Sequence, residues 1–133
     1  MSENVELLKR GYEAFNRGDL DAVFELLDPE IEWVNDERVP FAGTYRGHDE
    51  LRALLRDQQE VFDQLTMEPY EFFETGDHVV VFVRVRARGE ASGAALEITI
   101  GHLWTISNGK GVRWQGFPER EKALEAAGLP ARR

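Results

Sequence analysis

One histidine stands among apolar side chains in a segment of alternating character. In residues 96–107 every second residue, starting at Leu96, is apolar except His102, and this alternation predicts a β-strand with these residues on one face. Trp104 lies on that face, and Trp114 lies on the matching face of the strand that follows the Asn108-Gly109 turn. An imidazole can donate or accept a proton near neutral pH, or polarise a carbonyl. His102 is therefore the candidate catalytic group.

The same three residues also have a structural interpretation. His102 could be a half-buried histidine that is bonded to a neighbouring hydroxyl or carbonyl. Trp104 and Trp114 could belong to the core of a small domain and not to a ligand platform. Both interpretations stay open at this point.

Other polar side chains are weaker candidates. Asp36 lies next to Trp33 in a segment with proline and glycines, and it could direct a carboxylate to a cavity mouth, although a loop aspartate is ordinarily only solvated. Tyr12 and Tyr45 could bring a hydroxyl to an apolar wall, or could simply pack their rings. Asp36 is thus a second catalytic candidate, and the two tyrosines are candidate binding residues.

No pattern indicates a metal or a cofactor. The three histidines, at 48, 78 and 102, fall on a loop, a strand start and a strand middle, without metal-ligand spacing. Glycine-rich phosphate loops and a GxSxG elbow are absent from the sequence. We therefore expect neither a metal site nor a cofactor.

Composition excludes several classes of partner. With 133 residues and 42% hydrophobic content, the chain predicts one domain over residues 1–129 and a frayed tail over 130–133. The net charge of -9 repels phosphate backbones and anionic lipids, so nucleic acid and membranes are not expected as partners. There is no cysteine, no signal-like apolar run and no apolar stretch of membrane-spanning length. These features predict a cytoplasmic protein.

The periodicities predict an α+β domain with helices on one face of a curved antiparallel sheet. Three helices and a short edge strand are predicted in the N-terminal half, and a long loop precedes the third helix. The expected helices span 5–17, 20–27, 49–62 and 118–129, the strands span 30–34, 66–75, 78–88, 96–107 and 111–117, and the loop spans 35–50.

Four segments resemble SnoaL-like proteins of the nuclear transport factor 2-like superfamily, which also contains ketosteroid isomerase, limonene epoxide hydrolase and polyketide cyclases. They are FNRGDLDAVFELLDPEIEW, GTYRGHDELRALL, GHLWTISNGKGVRW and EKALEAAGL. The resemblance implies a cone-shaped sheet with the three N-terminal-half helices on its concave face and a short C-terminal helix. It does not determine function, because this fold serves enzymes, ligand carriers and interaction modules.

The catalytic pattern of the isomerase is mostly absent. The resemblance places Val34 where that family has its carboxylate base, and Gly11, Leu27 and Leu55 where it has tyrosines. His102 takes the place of the protonated aspartate of its oxyanion hole. Steroid isomerisation is therefore not expected, and the aspartate–arginine–aspartate pattern of the epoxide hydrolase cannot be placed on the pocket face either.

The combined prediction is a pocket protein that binds a compact apolar or aromatic carbonyl compound and is a candidate for converting it by cofactor-independent isomerase, cyclase or hydrolase chemistry. The alternatives are a non-catalytic ligand-binding protein and a dimerisation module with a filled cone. Besides His102 and Asp36, the predicted pocket residues are Tyr12, Trp33, Val34, Tyr45, Leu55, Gln59, Val81, Val83, Ile100, Trp104, Val112 and Trp114.

We expect a homodimer that forms through the outer face of the sheet. Phe82, Leu103 and Phe117 would leave an apolar surface exposed on a monomer of this size. Arg84 and its row of arginines on the same face could pair with Glu97 across the sheet or with a second subunit.

Overall fold

The computed structural model describes residues 2–36 and 41–130, and within these ranges it contains four helices and one six-stranded sheet. The helices are α1 (Glu3–Asn16), α2 (Leu20–Glu25), α3 (Gly47–Val61) and α4 (Arg120–Ala126). The strands are β1 (Leu27–Asn35), β2 (Gly43–Arg46), β3 (Phe62–Thr75), β4 (His78–Gly89), β5 (Ala95–Ser107) and β6 (Lys110–Phe117). This is the predicted α+β class, and of the predicted tail, residues 131–133 lie outside the described part.

The sheet order β2-β1-β6-β5-β4-β3 places the first strand, β1, beside the last strand, β6. Neighbouring strands are antiparallel except β1 and β6, which run parallel with Trp33 opposite Trp114. The prediction of an edge strand at 30–34 was wrong, because β1 lies between β2 and β6. Glu32 on β1 consequently pairs with Arg46 on one side, at 2.8 Å, and with Arg113 on the other, at 2.7 Å.

Of the segment predicted as a loop over 35–50, residues 37–40 lie outside the described part, and most of the others are regular. Strand β2 occupies four of its residues, and α3 begins at Gly47. Gly47 has a φ of +81°, a backbone conformation that glycine adopts without steric cost. The chain can therefore turn directly from a strand into a helix at this point.

Local signals at other boundaries are confirmed. The Asp19 side chain accepts a hydrogen bond from the Ala22 amide at 3.1 Å, so it caps α2 as predicted. Asn108 and Gly109 both have positive φ, at 52° and 73°, which gives the tight turn between β5 and β6.

The main core lies between the inner face of the sheet and helices α1, α2 and α3. Val79, Val81 and Val83 on β4 have no exposed area, and they pack under residues of α1 and α3 such as Leu8 and Leu51. This confirms the predicted helices on the concave face. No helix in the ranges 2–36 and 41–130 is long and apolar enough to span a membrane.

The C-terminal helix packs on the opposite, outer face. Ala123 and Leu124 of α4 form a second core with Phe82 and Leu103, which are only 2% and 5% exposed. Gly101 permits this approach, since a Cβ at that position would lie 2.7 Å from the Cβ of Ala123.

The premise of the predicted dimer face was therefore wrong: the chain itself covers the apolar set of Phe82, Leu103 and Phe117. The neighbouring arginines pair within the chain, Arg84 with Glu68 at 2.8 Å and Arg86 with Glu97 at 3.2 Å.

Candidate functional site

An apolar cavity of about 50 Å³ lies between the helices and the inner face of the sheet. Ring side chains of α1, β1, β5 and β6 form one part of its wall, which we name the closed end, and half-buried side chains of α1, α2, the residue after α2, and β3 form another, which we name the rim. The closed end contains Tyr12, Trp33, His102, Trp104 and Trp114, and the rim contains Phe15, Val23, Leu26 and Met67. Because its aliphatic and aromatic walls offer few polar atoms, each polar atom strongly affects which ligands can bind.

A directed chain of hydrogen bonds runs through the closed end. The indole Nε1 of Trp104 donates to the hydroxyl of Tyr12 at 3.0 Å, and that hydroxyl lies 2.6 Å from Nδ1 of His102. An indole can only donate, so the Tyr12 oxygen accepts from it. If that oxygen also accepted from Nδ1–H of His102, the buried hydroxyl proton of Tyr12 would be left unpaired. The favoured arrangement therefore has Tyr12 donating to Nδ1, with the ring proton of a neutral His102 on Nε2.

Burial keeps His102 neutral. The side chain is 2% exposed, and burial lowers the pKa of His102 to about 3. Burial also raises the pKa of Tyr12, against the hydrogen bond from Trp104, which lowers it. Near pH 7 the pair is therefore Tyr–OH and neutral imidazole, which suits His102 as a hydrogen-bond donor and not as a proton acceptor.

The sequence left two interpretations of His102 open, and the structure combines them. Nδ1 is bonded to a neighbouring hydroxyl, as in the structural interpretation. Nε2 has no hydrogen-bond partner among residues 2–36 and 41–130, and the ring lines the cavity, as in the functional one.

Stacked aromatic rings hold the other wall of the closed end. Trp33 stacks on Trp114 with centroids 4.0 Å apart and planes 10° apart, and the His102 ring meets Trp114 at 4.7 Å and 66°. The six-membered ring of Trp114 lies against Gly116, where a Cβ would come within 2.6 Å of Cη2. Gly116 therefore makes room for the indole beside His102.

Some predicted pocket residues line the cavity. They are Tyr12, Trp33, Leu55, His102, Trp104 and Trp114.

Other predicted pocket residues lie on the inner face without reaching the cavity. Val81 and Val83 are fully buried core residues, and Ile100 packs beside them, half-buried. Tyr45 also faces inward, but its hydroxyl donates to the carbonyl of Phe41 at 3.0 Å. These residues therefore lie on the predicted inward face but do not line the cavity.

The other four predicted residues lie outside the cavity lining. Val34 follows Trp33 on the same strand and so faces the outer side with its register partner Gln115. Val112 has no register partner, because the β5–β6 ladder shifts between Arg113 and Gly111. Gln59 is exposed on α3, and Asp36 follows β1 outside the cavity lining.

The cavity residues that sequence reasoning missed come mainly from helices and from β3. Leu7, Leu26, Leu51 and Met67 are among them. The stripe of Leu8, Tyr12 and Phe15 identified the inward face of α1, but only the position of the helix on the sheet shows which turns border a space.

The expectation concerning metals remains as stated from the sequence. In the described ranges, no three His, Asp or Glu side chains come together in an arrangement that could hold a metal ion.

Comparison with known proteins places this chain in a family. The SnoaL-like domain model matches residues 8–114, and the chain belongs to this family. An uncharacterised protein of Mycobacterium tuberculosis is 27% identical over 124 residues, which cover 92% of this chain and 94% of the relative.

Solved structures agree with the fold. The structure of TerC co-crystallised with polyporic acid superposes with a TM-score of 0.80 at 28% identity, covering 87% of this chain and 91% of TerC. A nuclear transport factor 2-like protein of unknown function from Burkholderia pseudomallei superposes with a TM-score of 0.82 at 29% identity, covering 97% of this chain and 98% of that protein. The superfamily expected from the sequence is thereby confirmed.

Proposed function

We propose that this protein binds a small, uncharged organic molecule whose carbonyl oxygen accepts a hydrogen bond from Nε2 of His102. The observation that carries the proposal is the directed chain from Trp104 through Tyr12 to His102. This chain fixes the imidazole as a donor at the closed end of an otherwise apolar cavity. A single oriented donor in an apolar site selects for a ligand with one matching acceptor.

The dimensions favour a compact ligand. A cavity of about 150 Å³ is known to hold benzene, whereas this one measures about 50 Å³. Binding of a ring therefore requires the rim to yield. Met67 is suited to this, because its unbranched side chain has three rotatable bonds and is only half-buried.

The comparisons support a small-molecule site. TerC, which shares 28% of its aligned residues with this chain, was crystallised with polyporic acid. SnoaL-like proteins also include cyclases, which act on small organic molecules. These likenesses favour a ligand-binding cavity over the alternative of a dimerisation module with a filled cone.

Conversion of the bound carbonyl compound, by isomerase, cyclase or hydrolase chemistry, is the second candidate. A neutral imidazole that donates to a carbonyl oxygen stabilises the charge that develops there during enolisation. Against it, no carboxylate from residues 2–36 and 41–130 lines the cavity, so an obvious base is missing. Hydrogen–deuterium exchange at the α-carbon of cyclohexanone, followed by NMR, distinguishes catalysis from binding alone.

We further propose a homodimer through the part of the outer face that α4 leaves open. Tyr70 is 41% exposed there, beside the Arg84 guanidinium at 5.3 Å from its ring. Exposed aromatic and arginine side chains are typical of interface centres. Sedimentation velocity at micromolar concentration should show a dimer, and Tyr70→Glu should shift it to monomer; a wild-type monomer would contradict the proposal.

The ligand proposal is tested with two probes of one shape, cyclohexanone and methylenecyclohexane, titrated by NMR. The variant His102→Phe keeps a ring in place and removes the donor. The binding free energy for cyclohexanone should therefore weaken by about 1–3 kcal/mol, whereas that for methylenecyclohexane should not change. His78→Phe is the matched control, because His78 bonds to Thr105 at 3.1 Å, away from the cavity. Equal effects of His102→Phe on both probes would refute the donor role.

A further inference from the structure

The indole N–H of Trp114 is a buried donor without an acceptor. Within residues 2–36 and 41–130, Nε1 of Trp114 has no hydrogen-bond partner and no contact with solvent. The side chain is 4% exposed and belongs to the cavity wall. Buried donors are almost always paired, because an unpaired one has lost its hydrogen bond to water without gaining another. Such a group calls for an explanation.

The neighbours of Trp114 hold the indole in position beside His102. Trp33 covers one face of the indole at 4.0 Å, and the His102 ring meets it at 4.7 Å. Gly116 lacks the side chain that would push the indole away. The indole is thus fixed by stacking and by backbone shape, without any hydrogen bond of its own.

Two hydrogen-bond donors therefore belong to adjacent rings at the closed end of one apolar cavity. Nε2–H of His102 is fixed as a donor by the Tyr12 bond to Nδ1. The Trp114 indole can only donate. A carbonyl oxygen has two lone pairs and no proton, so it is the acceptor that matches two donors.

We propose that Nε1–H of Trp114 is a second donor to the ligand oxygen that His102 binds, so that the cavity selects carbonyl compounds over the corresponding alcohols. This inference rests on the proposed ligand site. An alcohol oxygen could accept from both donors, but its own proton would face a wall of donors and hydrocarbon. That proton would be left unpaired, and the alcohol should bind more weakly.

The unpaired state of Trp114 is then a property of the empty site, and because Nε1 has no accessible surface there, the cavity wall must shift as the ligand oxygen reaches it. The ligand oxygen supplies the missing acceptor, so the cost of the orphan donor is removed when a carbonyl compound binds. The apolar part of the ligand lies among Leu7, Phe15, Leu26 and Met67, which provide shape without polarity. Selectivity for the carbonyl group is therefore separate from affinity for the ring.

The direct test observes the indole proton itself. In ¹⁵N-labelled wild-type protein the three tryptophans give three indole N–H resonances, which Trp33→Phe and Trp114→Phe assign. Saturating cyclohexanone should shift the Trp114 resonance downfield, as a new hydrogen bond does, whereas saturating methylenecyclohexane should not. The Trp104 resonance is the internal reference, since its donor is already bonded to Tyr12.

Affinities give an independent test. Cyclohexanone should bind about five- to tenfold more tightly than cyclohexanol to wild-type protein. Trp114→Phe should reduce that ratio to about two or less. His78→Phe is the control, because His78 lies outside the cavity lining, bonded to Thr105 at 3.1 Å, and its replacement should leave the ratio unchanged.

The outcomes separate the two proposals. If neither cyclohexanone nor methylenecyclohexane binds, the proposed ligand site is wrong and this inference falls with it. If both probes bind and His102→Phe weakens only the ketone, while the Trp114 resonance stays in place, the ligand site stands and the role of Trp114 is refuted. A shifted Trp114 resonance with a ketone preference that depends on Trp114 supports both.

Discussion

Replacement of Tyr12 by Phe tests the hydrogen-bond chain on which the site depends. The change removes one oxygen and leaves the ring, so it opens almost no space. It deprives two buried groups of their partner, Nε1 of Trp104 at 3.0 Å and Nδ1 of His102 at 2.6 Å. The two side chains are 7% and 2% exposed, so water does not readily replace the hydroxyl.

The expected loss of stability follows from these two unpaired groups. At about 1–3 kcal/mol for each unpaired buried group, with some relief from rotation of the imidazole proton between its nitrogens, the free energy of unfolding should fall by about 2–4 kcal/mol. Urea denaturation of wild type and Tyr12→Phe under the same conditions measures this difference.

Tyr45→Phe is the matched control. Its hydroxyl bonds to the Phe41 carbonyl at 3.0 Å from a half-buried position, where water can take over. That variant should lose less than about 1 kcal/mol. If Tyr12→Phe costs no more than Tyr45→Phe, the hydroxyl does not hold Trp104 and His102 together. The assignment of the donor to Nε2 would then be wrong as well.

Three further predictions concern pH and packing. Between pH 7 and pH 5 the free energy of unfolding should fall by on the order of 2 kcal/mol. The reason is that His102 takes up a proton at a pKa of about 6.5 in the unfolded chain, whereas its pKa in the fold is about 3. Denaturant titrations across this pH range should show that His102→Phe lacks this part of the pH dependence. Gly116→Ala places a Cβ 2.6 Å from the Trp114 ring and should cost about 1–3 kcal/mol with altered tryptophan fluorescence, whereas Gly11→Ala, which meets only ordinary contacts at 3.6 Å, should be neutral or stabilising. Gly101→Ala should loosen α4 from the outer face, which faster proteolysis near the C-terminus would reveal, and an unchanged cleavage rate would contradict the tight approach at 2.7 Å.

The inner face of β5 and β6 was predictable because strand alternation depends only on the backbone. His102, Trp104 and Trp114 follow from that period, and all three line the cavity. Val34 was assigned from a family register, and alternation from Trp33 would have excluded it. The position of Val112 was not predicted correctly, because a bulge adds a residue to β6 and the alternation of a single sequence does not reveal a bulge.

The contacts between distant segments could not be predicted from the sequence. Nothing near β1 indicates that it runs parallel to β6, and nothing in α4 indicates that it covers the face opposite the other helices. Both depend on how distant segments bury their apolar sides. The cavity volume likewise depends on where α1 crosses the sheet, so the residues were more predictable than the space between them.

The parallel pairing of β1 and β6 also has a kinetic consequence. It joins residues 81 positions apart, such as Glu32 and Arg113, and the stacked Trp33 and Trp114 are themselves register partners in it. Closing so long a segment of chain has a high entropic cost and slows folding. The stacked indoles can form only once this closure is complete, so a folding intermediate that retains the β3–β4–β5 meander has no cavity. Near-ultraviolet circular dichroism from the indole pair should therefore appear with ligand binding in refolding experiments, after the far-ultraviolet signal of the strands.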